Sequence, residues 1–125
     1  MAASPVFVGV PKVWQQALAT ANTARDGSGT TADILTAGAS GSRIDRVRVV
    51  ASSTTTAGVI RIFIYDGTNT YLIKEILVSA ITPSATVAVW EADCDLNINL
   101  PATWHLKAAT HNAETFKIFA LGGDF

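Results

Sequence analysis

His105 and His111 are the residues of this chain best equipped for metal binding or acid–base chemistry. His105 alternates with Trp104 and Leu106 in a strand-like run, and His111 sits in the turn phrase Thr110-His111-Asn112-Ala113. A metal centre needs further His, Cys or carboxylate ligands converging on one point. The sequence groups none around either ring, so both read as surface or turn histidines. Asp93, Asp95, Asn97 and Asn99 alternate through DCDLNINL, a spacing of oxygen donors that suits a calcium loop. An EF-hand needs glycine at its sixth position and a carboxylate at its twelfth; those places hold Ile98 and Trp104. The same alternation suits a short edge segment with polar residues outward, and a structural calcium ion is the alternative.

The remaining candidates are weaker still. RDGSGT, from Arg25 to Thr30, has the glycines of a phosphate loop but neither its lysine nor its spacing, and no helix follows to hold an anion. It reads as a turn. Cys94 and the serines lack the neighbouring base that would activate a nucleophile. Arg43, Arg46, Arg48 and Arg61 could form an exposed basic stripe across adjacent strands. Pairing with Asp45, Glu75 and Glu91 on a solvated sheet face accounts for them better. We therefore expect no catalytic residues, no cofactor, no resident metal, and no enzyme.

The elements that carry these residues are strands. Apolar positions recur with period two and are rich in β-branched residues and Thr. Turn chemistry divides the chain into eight strands, at about Lys12–Thr20, Thr31–Thr36, Arg43–Ser52, Val59–Tyr65, Thr70–Ser79, Ala85–Ala92, Trp104–Thr110 and Thr115–Leu121. WQQALATA, Trp14 to Ala21, has some helical composition; it reads as the first strand, with a helical turn as the alternative. In Arg46-Val47-Arg48-Val49 the valines point one way and the arginines the other. Ile60, Ile62 and Ile64 share one face; Arg61, Phe63 and Tyr65 share the opposite one. The next strand places Leu72, Lys74, Ile76 and Val78 against Tyr71, Ile73, Glu75 and Leu77. Several strands are thus apolar on both sides, so a loop, a partner or a neighbouring subunit must cover part of the outer surface. Asp66-Gly67 supplies the positive φ of a tight hairpin, and no other connection between long strands looks as short. In a jelly roll the fourth and fifth strands are sheet neighbours while most other successive pairs cross between sheets. The expected fold is all-β, an antiparallel eight-stranded β-sandwich of jelly-roll type.

With 125 residues the chain fits one domain and a real core. Residues 1–12 read as an extended arm, punctuated by Pro5 and Pro11 and apolar at Val6, Phe7, Val8 and Val10; residues 13–125 are the sandwich. Such an arm suits lacing onto a neighbour or folding back along its own domain. Charged residues are only 15%, against a usual quarter, so the surface resists association weakly. A net charge of −1 argues against nucleic acid as a partner. No secretory signal or membrane span is visible, and one cysteine excludes an intrachain disulfide, which fits synthesis in a reducing cytoplasm.

The run ANTARDGSGT, AGASGSRIDRVRVVA, TTTAGVIRIFIYDGTNTYLIKEI, ITPSAT and HNAETFKIFALGGDF resembles small virion structural proteins of tailed bacteriophages and prophages, above all those that decorate the capsid. The resemblance spans Asn22 to Phe125 and lies in texture and turn phrases, with no functional motif to carry over. It implies a compact β domain, often a jelly roll and often a trimer, that cements the assembled shell by binding the major capsid protein at the capsid surface. A head–tail or tail component would share these features. A lectin-like carbohydrate-binding jelly roll is a further alternative. It would need an exposed aromatic platform, and Trp14, Trp90 and Trp104 all fall in apolar strand patterns better suited to core or interface.

Overall fold

The computed structural model of the protein describes residues 8–125. Eight strands follow one another: β1 (Val10–Leu18), β2 (Ala32–Thr36), β3 (Ser42–Ala51), β4 (Gly58–Tyr65), β5 (Thr70–Val78), β6 (Glu91–Leu100), β7 (His105–Thr110) and β8 (Phe116–Asp124). They form two four-stranded sheets, ordered β1-β8-β3-β6 and β2-β7-β4-β5, with every neighbouring pair antiparallel. Successive strands change sheet at every connection but one, which is the jelly-roll arrangement. The exception is the β4–β5 hairpin. Among the described residues there is no helix, hence none long and apolar enough to cross a membrane.

The hairpin shows why its sequence works. Gly67, at φ 98°, occupies the first of the two central turn positions, and the Asp66 amide donates to the Asn69 carbonyl at 3.2 Å. The Asp66 carboxylate accepts from the amides of Thr68 and Asn69 at 2.9 and 2.7 Å, so the turn has its own side-chain clamp. Glycine alone supplies the positive φ; Asp66 does not share it.

The core lies between the sheets. Ile44, Val47, Val49, Phe116, Ile118 and Ala120 of the first sheet meet Ile60, Ile62, Leu106 and Ala108 of the second, all essentially inaccessible. Each such side chain contributes about 1–3 kcal/mol by leaving water. Trp90 joins them, packed edge-on against Phe116 at 5.8 Å between ring centroids. Gly122 lets β8 press against β3, since a Cβ there would collide with the Arg43 carbonyl oxygen.

Three expectations are corrected. The sixth strand is Glu91–Leu100, not Ala85–Ala92. Residues 85–90 belong to the crossover from β5, where Ser84 and Val87 make only an isolated bridge. The apolar texture of that crossover mimicked a strand, while the true strand looked polar because it is an edge with a solvated outer face. With β6 ending at Leu100, Pro101–Trp104 also becomes a connection as short as the hairpin. Second, a bulge between Ile62 and Phe63 pairs Phe63 with Leu72 and Ile62 with Lys74. Leu72 therefore joins the outer face and Tyr71 the inner one, because a one-residue shift exchanges faces. Third, the expected pairings of Arg43 with Asp45, Arg48 with Glu91 and Arg61 with Glu75 form, but Arg61 is 1% exposed in the other sheet and not on a solvated face, which also rules out the alternative four-arginine stripe.

Of the expected arm, residues 1–7 lie outside the described residues. The Gly9 amide donates to the Asp124 carbonyl at 2.7 Å, and Val10, Pro11 and Lys12 already pair with Asp124, Gly123 and Gly122.

Candidate interaction surface

The outer faces of the two sheets differ in kind. On the second sheet, Phe63 and Ala109 are buried, at 0% and 2% exposure, yet stand apart from the inter-sheet core. Their cover is the loop from Ala19 to Thr31, between β1 and β2. Ala21 makes a parallel bridge with Thr110 at the end of β7, and the Asn22 amide donates to the Thr110 carbonyl at 2.8 Å. The loop then crosses β4 and reaches β5, where Arg25 Nε bonds Glu75 Oε2 at 2.8 Å and Gly27 sits against Thr70. Asn22 holds the loop's shape: its Nδ2 donates to the carbonyls of Ser28 and Thr30, and its Oδ1 accepts from the Ala24 amide.

Arg61 pins this loop from below. Its Nε donates to Glu75 Oε2 at 3.0 Å, one terminal nitrogen to the Asn22 carbonyl at 3.1 Å, and the other meets His111 Nδ1 at 3.2 Å. A buried guanidinium is tolerable because all three nitrogens have acceptors. Hydrogen bonds from Arg25, and then from Arg61, hold the Glu75 carboxyl below its ordinary range. The doubly apolar character of β4 is thus satisfied by the chain's own loop.

Among the described residues the first sheet has no such cover. Its outer face runs in cross-strand rows: Val13–Leu121–Arg46–Asp95, Gln15–Phe119–Arg48–Asp93 and Ala17–Lys117–Val50–Glu91. The β3–β6 half is charged and paired internally except at Arg46 and Asp95, which form no ion pair among the described residues. Arg48 bonds Asp93 at 2.9 Å and Glu91 at 3.1 Å, and Arg43 bonds Asp45 at 3.0 Å. These exposed pairs neutralise the face more than they stabilise it. The β1–β8 half carries an apolar strip: Val13 is 65% exposed, with Phe119 and Leu121 half-buried beside it, next to the exposed polar Gln15 and Lys117. Among the described residues no hydrogen bond ties a loop across this half. Phe125, also exposed, extends the apolar surface at the end where β1 begins.

β5 and β6 are edge strands on the same side of the sandwich, and between them opens a cleft of about 530 Å³ lined by Lys74, Ile76, Leu77, Asp93, Cys94 and Asp95. Burial raises the Cys94 thiol above its ordinary pKa, which keeps it a poor nucleophile.

The other residues singled out in the sequence are dispersed. His105 Nδ1 lies 2.8 Å from Asp33 Oδ2 and 3.0 Å from Thr36 Oγ1, beside Tyr65, whose ring carries Lys107 Nζ at 4.5 Å. His105 and His111 thus occupy separate settings. Of the oxygen series, Asp93 is engaged by Arg48, and Asn97 and Asn99 by Arg43; Asn97, at φ 51°, breaks the alternation. Among the described residues no three His, Cys, Asp or Glu side chains converge as metal ligands. RDGSGT is the covering loop, with the Asp26 carboxylate accepting from the Ser28 amide and hydroxyl. Trp90 is buried, and Trp14 and Trp104 pack against the core. The buried Arg61 hub escaped the sequence reading, although an arginine between Ile60 and Ile62 on a face shared with Phe63 was its one available signal.

No family model and no curated protein matches the chain. Two solved structures of pentameric capsid proteins isolated from metagenomic phage sequences are similar to it. One is 16% identical with a TM-score of 0.43, covering 90% of this chain and 60% of that one. The other, phased with iodide, is 17% identical with a TM-score of 0.35, covering 80% of this chain and 67% of that one. The chain spans 60% of the length of the first.

Proposed function

We propose that this protein is a non-enzymatic virion structural protein of a tailed bacteriophage that self-associates, as a trimer, and cements the assembled capsid by binding its major capsid protein. The observation that carries the reading is the contrast between the two outer faces. The second sheet buries Phe63 and Ala109 under its own loop and leaves Leu77 exposed at its β5 edge, whereas Val13, Phe119 and Leu121 form an apolar strip that nothing among the described residues covers. An exposed apolar patch rimmed by paired charges is a contact surface. A paired, nearly neutral rim neither steers nor repels, so contact rests on shape and apolar area. Modest contacts suffice when an oligomer engages several equivalent sites at once, because each later contact benefits from a high effective concentration. The sequence resemblance to decoration proteins agrees with this use of a jelly roll.

The test is co-sedimentation of purified protein with undecorated phage heads. Full-length protein is expected to pellet with heads, and a chain lacking residues 1–10 to fold but be retained less. Full-length protein that stays in the supernatant and binds a glycan array would replace this reading with the lectin-like one.

A further inference from the structure

Arg61, which holds the covering loop of the second sheet through the Asn22 carbonyl, also makes a contact that only a neutral histidine can accept. Every guanidinium nitrogen of Arg61 is a donor, so His111 Nδ1, at 3.2 Å, must accept. Its tautomer therefore carries the proton on Nε2. A second proton, on Nδ1, would turn a hydrogen bond into two opposed donors and place two cations in contact at a site where Arg61 is 1% exposed. His105, the other histidine of the chain, has the opposite role: its Nδ1 faces the Asp33 carboxylate at 2.8 Å, where a proton strengthens the contact.

Of the charged groups around His111, the Glu114 carboxylate alone keeps a buried oxygen without a partner, Oε1, among the described residues. Arg61 comes from β4, and Arg25 reaches Glu75 from the covering loop. Glu75 on β5 accepts from both arginines through Oε2. Glu114, in the same turn as His111, accepts the Thr56 amide and hydroxyl at 2.8 and 2.7 Å. The His111 amide is bonded to the Val59 carbonyl at 2.9 Å, which fixes the turn against β4 and leaves the ring as the part free to swing out.

We infer that protonation of His111 is a built-in release for the β1–β2 loop. It withdraws an acceptor from Arg61, weakens the grip of Arg61 on the Asn22 carbonyl, and lets the loop lift from Phe63 and Ala109. The second sheet would then expose an apolar outer face of its own, available for contact. This inference does not depend on the proposed capsid role.

The test is amide hydrogen exchange of the full chain, corrected for intrinsic rates, at about pH 7.5 and about pH 5.5. Loss of a hydrogen bond to a charged group predicts about tenfold less protection of the Asn22–Gly29 peptide at the lower pH. His111→Gln, whose carbonyl can accept from Arg61 without titrating, should remove that difference, and His105→Gln should retain it. Imidazole nitrogen shifts give a reading that needs no mutant: at neutral pH His111 should show a bare Nδ1. Unchanged loop protection in the wild type, a pH response that survives His111→Gln, or a protonated Nδ1 at neutral pH would each overturn the inference.

Discussion

Single residues set the local terms of this fold, and two of them do so for different reasons. Gly67 is constrained by its backbone alone: its φ is 98° and nothing lies within 4 Å of the place a Cβ would occupy. Gly67→Val should therefore cost about 1–2 kcal/mol through positive-φ strain with no steric clash, seen as a lower urea midpoint. Arg61 is constrained by its partners. Arg61→Met keeps much of the volume but strands the Asn22 carbonyl and His111, while Glu75 keeps Arg25. The expected loss is about 2–3 kcal/mol, accompanied by faster exchange in the covering loop. The first of these effects could be foreseen from the sequence, since Asp-Gly between two alternating strands has few other uses. The second could not, because the groups that satisfy Arg61 come from three distant parts of the chain.

At the scale of elements, legibility followed burial contrast. Strands with one wet and one dry face, such as β3 with Val47 and Val49 inward, announce themselves by alternation. The β5–β6 crossover and β6 reversed that signal. ITPSATVAV is apolar without being a strand, and EADCDLNINL is polar on alternate residues because only Ala92, Cys94 and their like face inward. The bulge that exchanges Tyr71 and Leu72 left no mark in the sequence, since both residues suit either face. The connections also carry charge that supports them. The Thr68 and Asn69 amides, with Asn69 the stronger influence, hold the Asp66 carboxyl below its ordinary range. Lys12, followed by Ser42, does the same for Asp124 where β8 ends. A lowered carboxyl pKa in the folded state means stability that is present above the unfolded values, about 3.9 for Asp, and lost as pH falls through the lower folded values. Urea midpoints should thus drop below about pH 4. Asp66→Asn, which keeps an acceptor but cannot titrate, should flatten part of that drop.

For the whole molecule, the decisive asymmetry is between a sheet whose loop covers Phe63 and Ala109 and one whose outer Val13, Phe119 and Leu121 have no cover among the described residues. Val13→Asp should leave the thermal midpoint nearly unchanged, because the side chain is 65% exposed in the isolated chain. It should reduce self-association in sedimentation velocity and retention on heads. The fold class was readable in advance because the β4–β5 hairpin is the one connection that stays within a sheet; which outer face lacked a cover was not, since it depends on where one loop lies. The most direct test is a cryo-electron microscopy difference map between heads with and without the protein. The account predicts density at many equivalent positions, with the β1–β8 half of the first sheet turned against the shell or a neighbouring copy. Heads that gain no density, or bound protein whose Val13 face looks out into solvent, would contradict it.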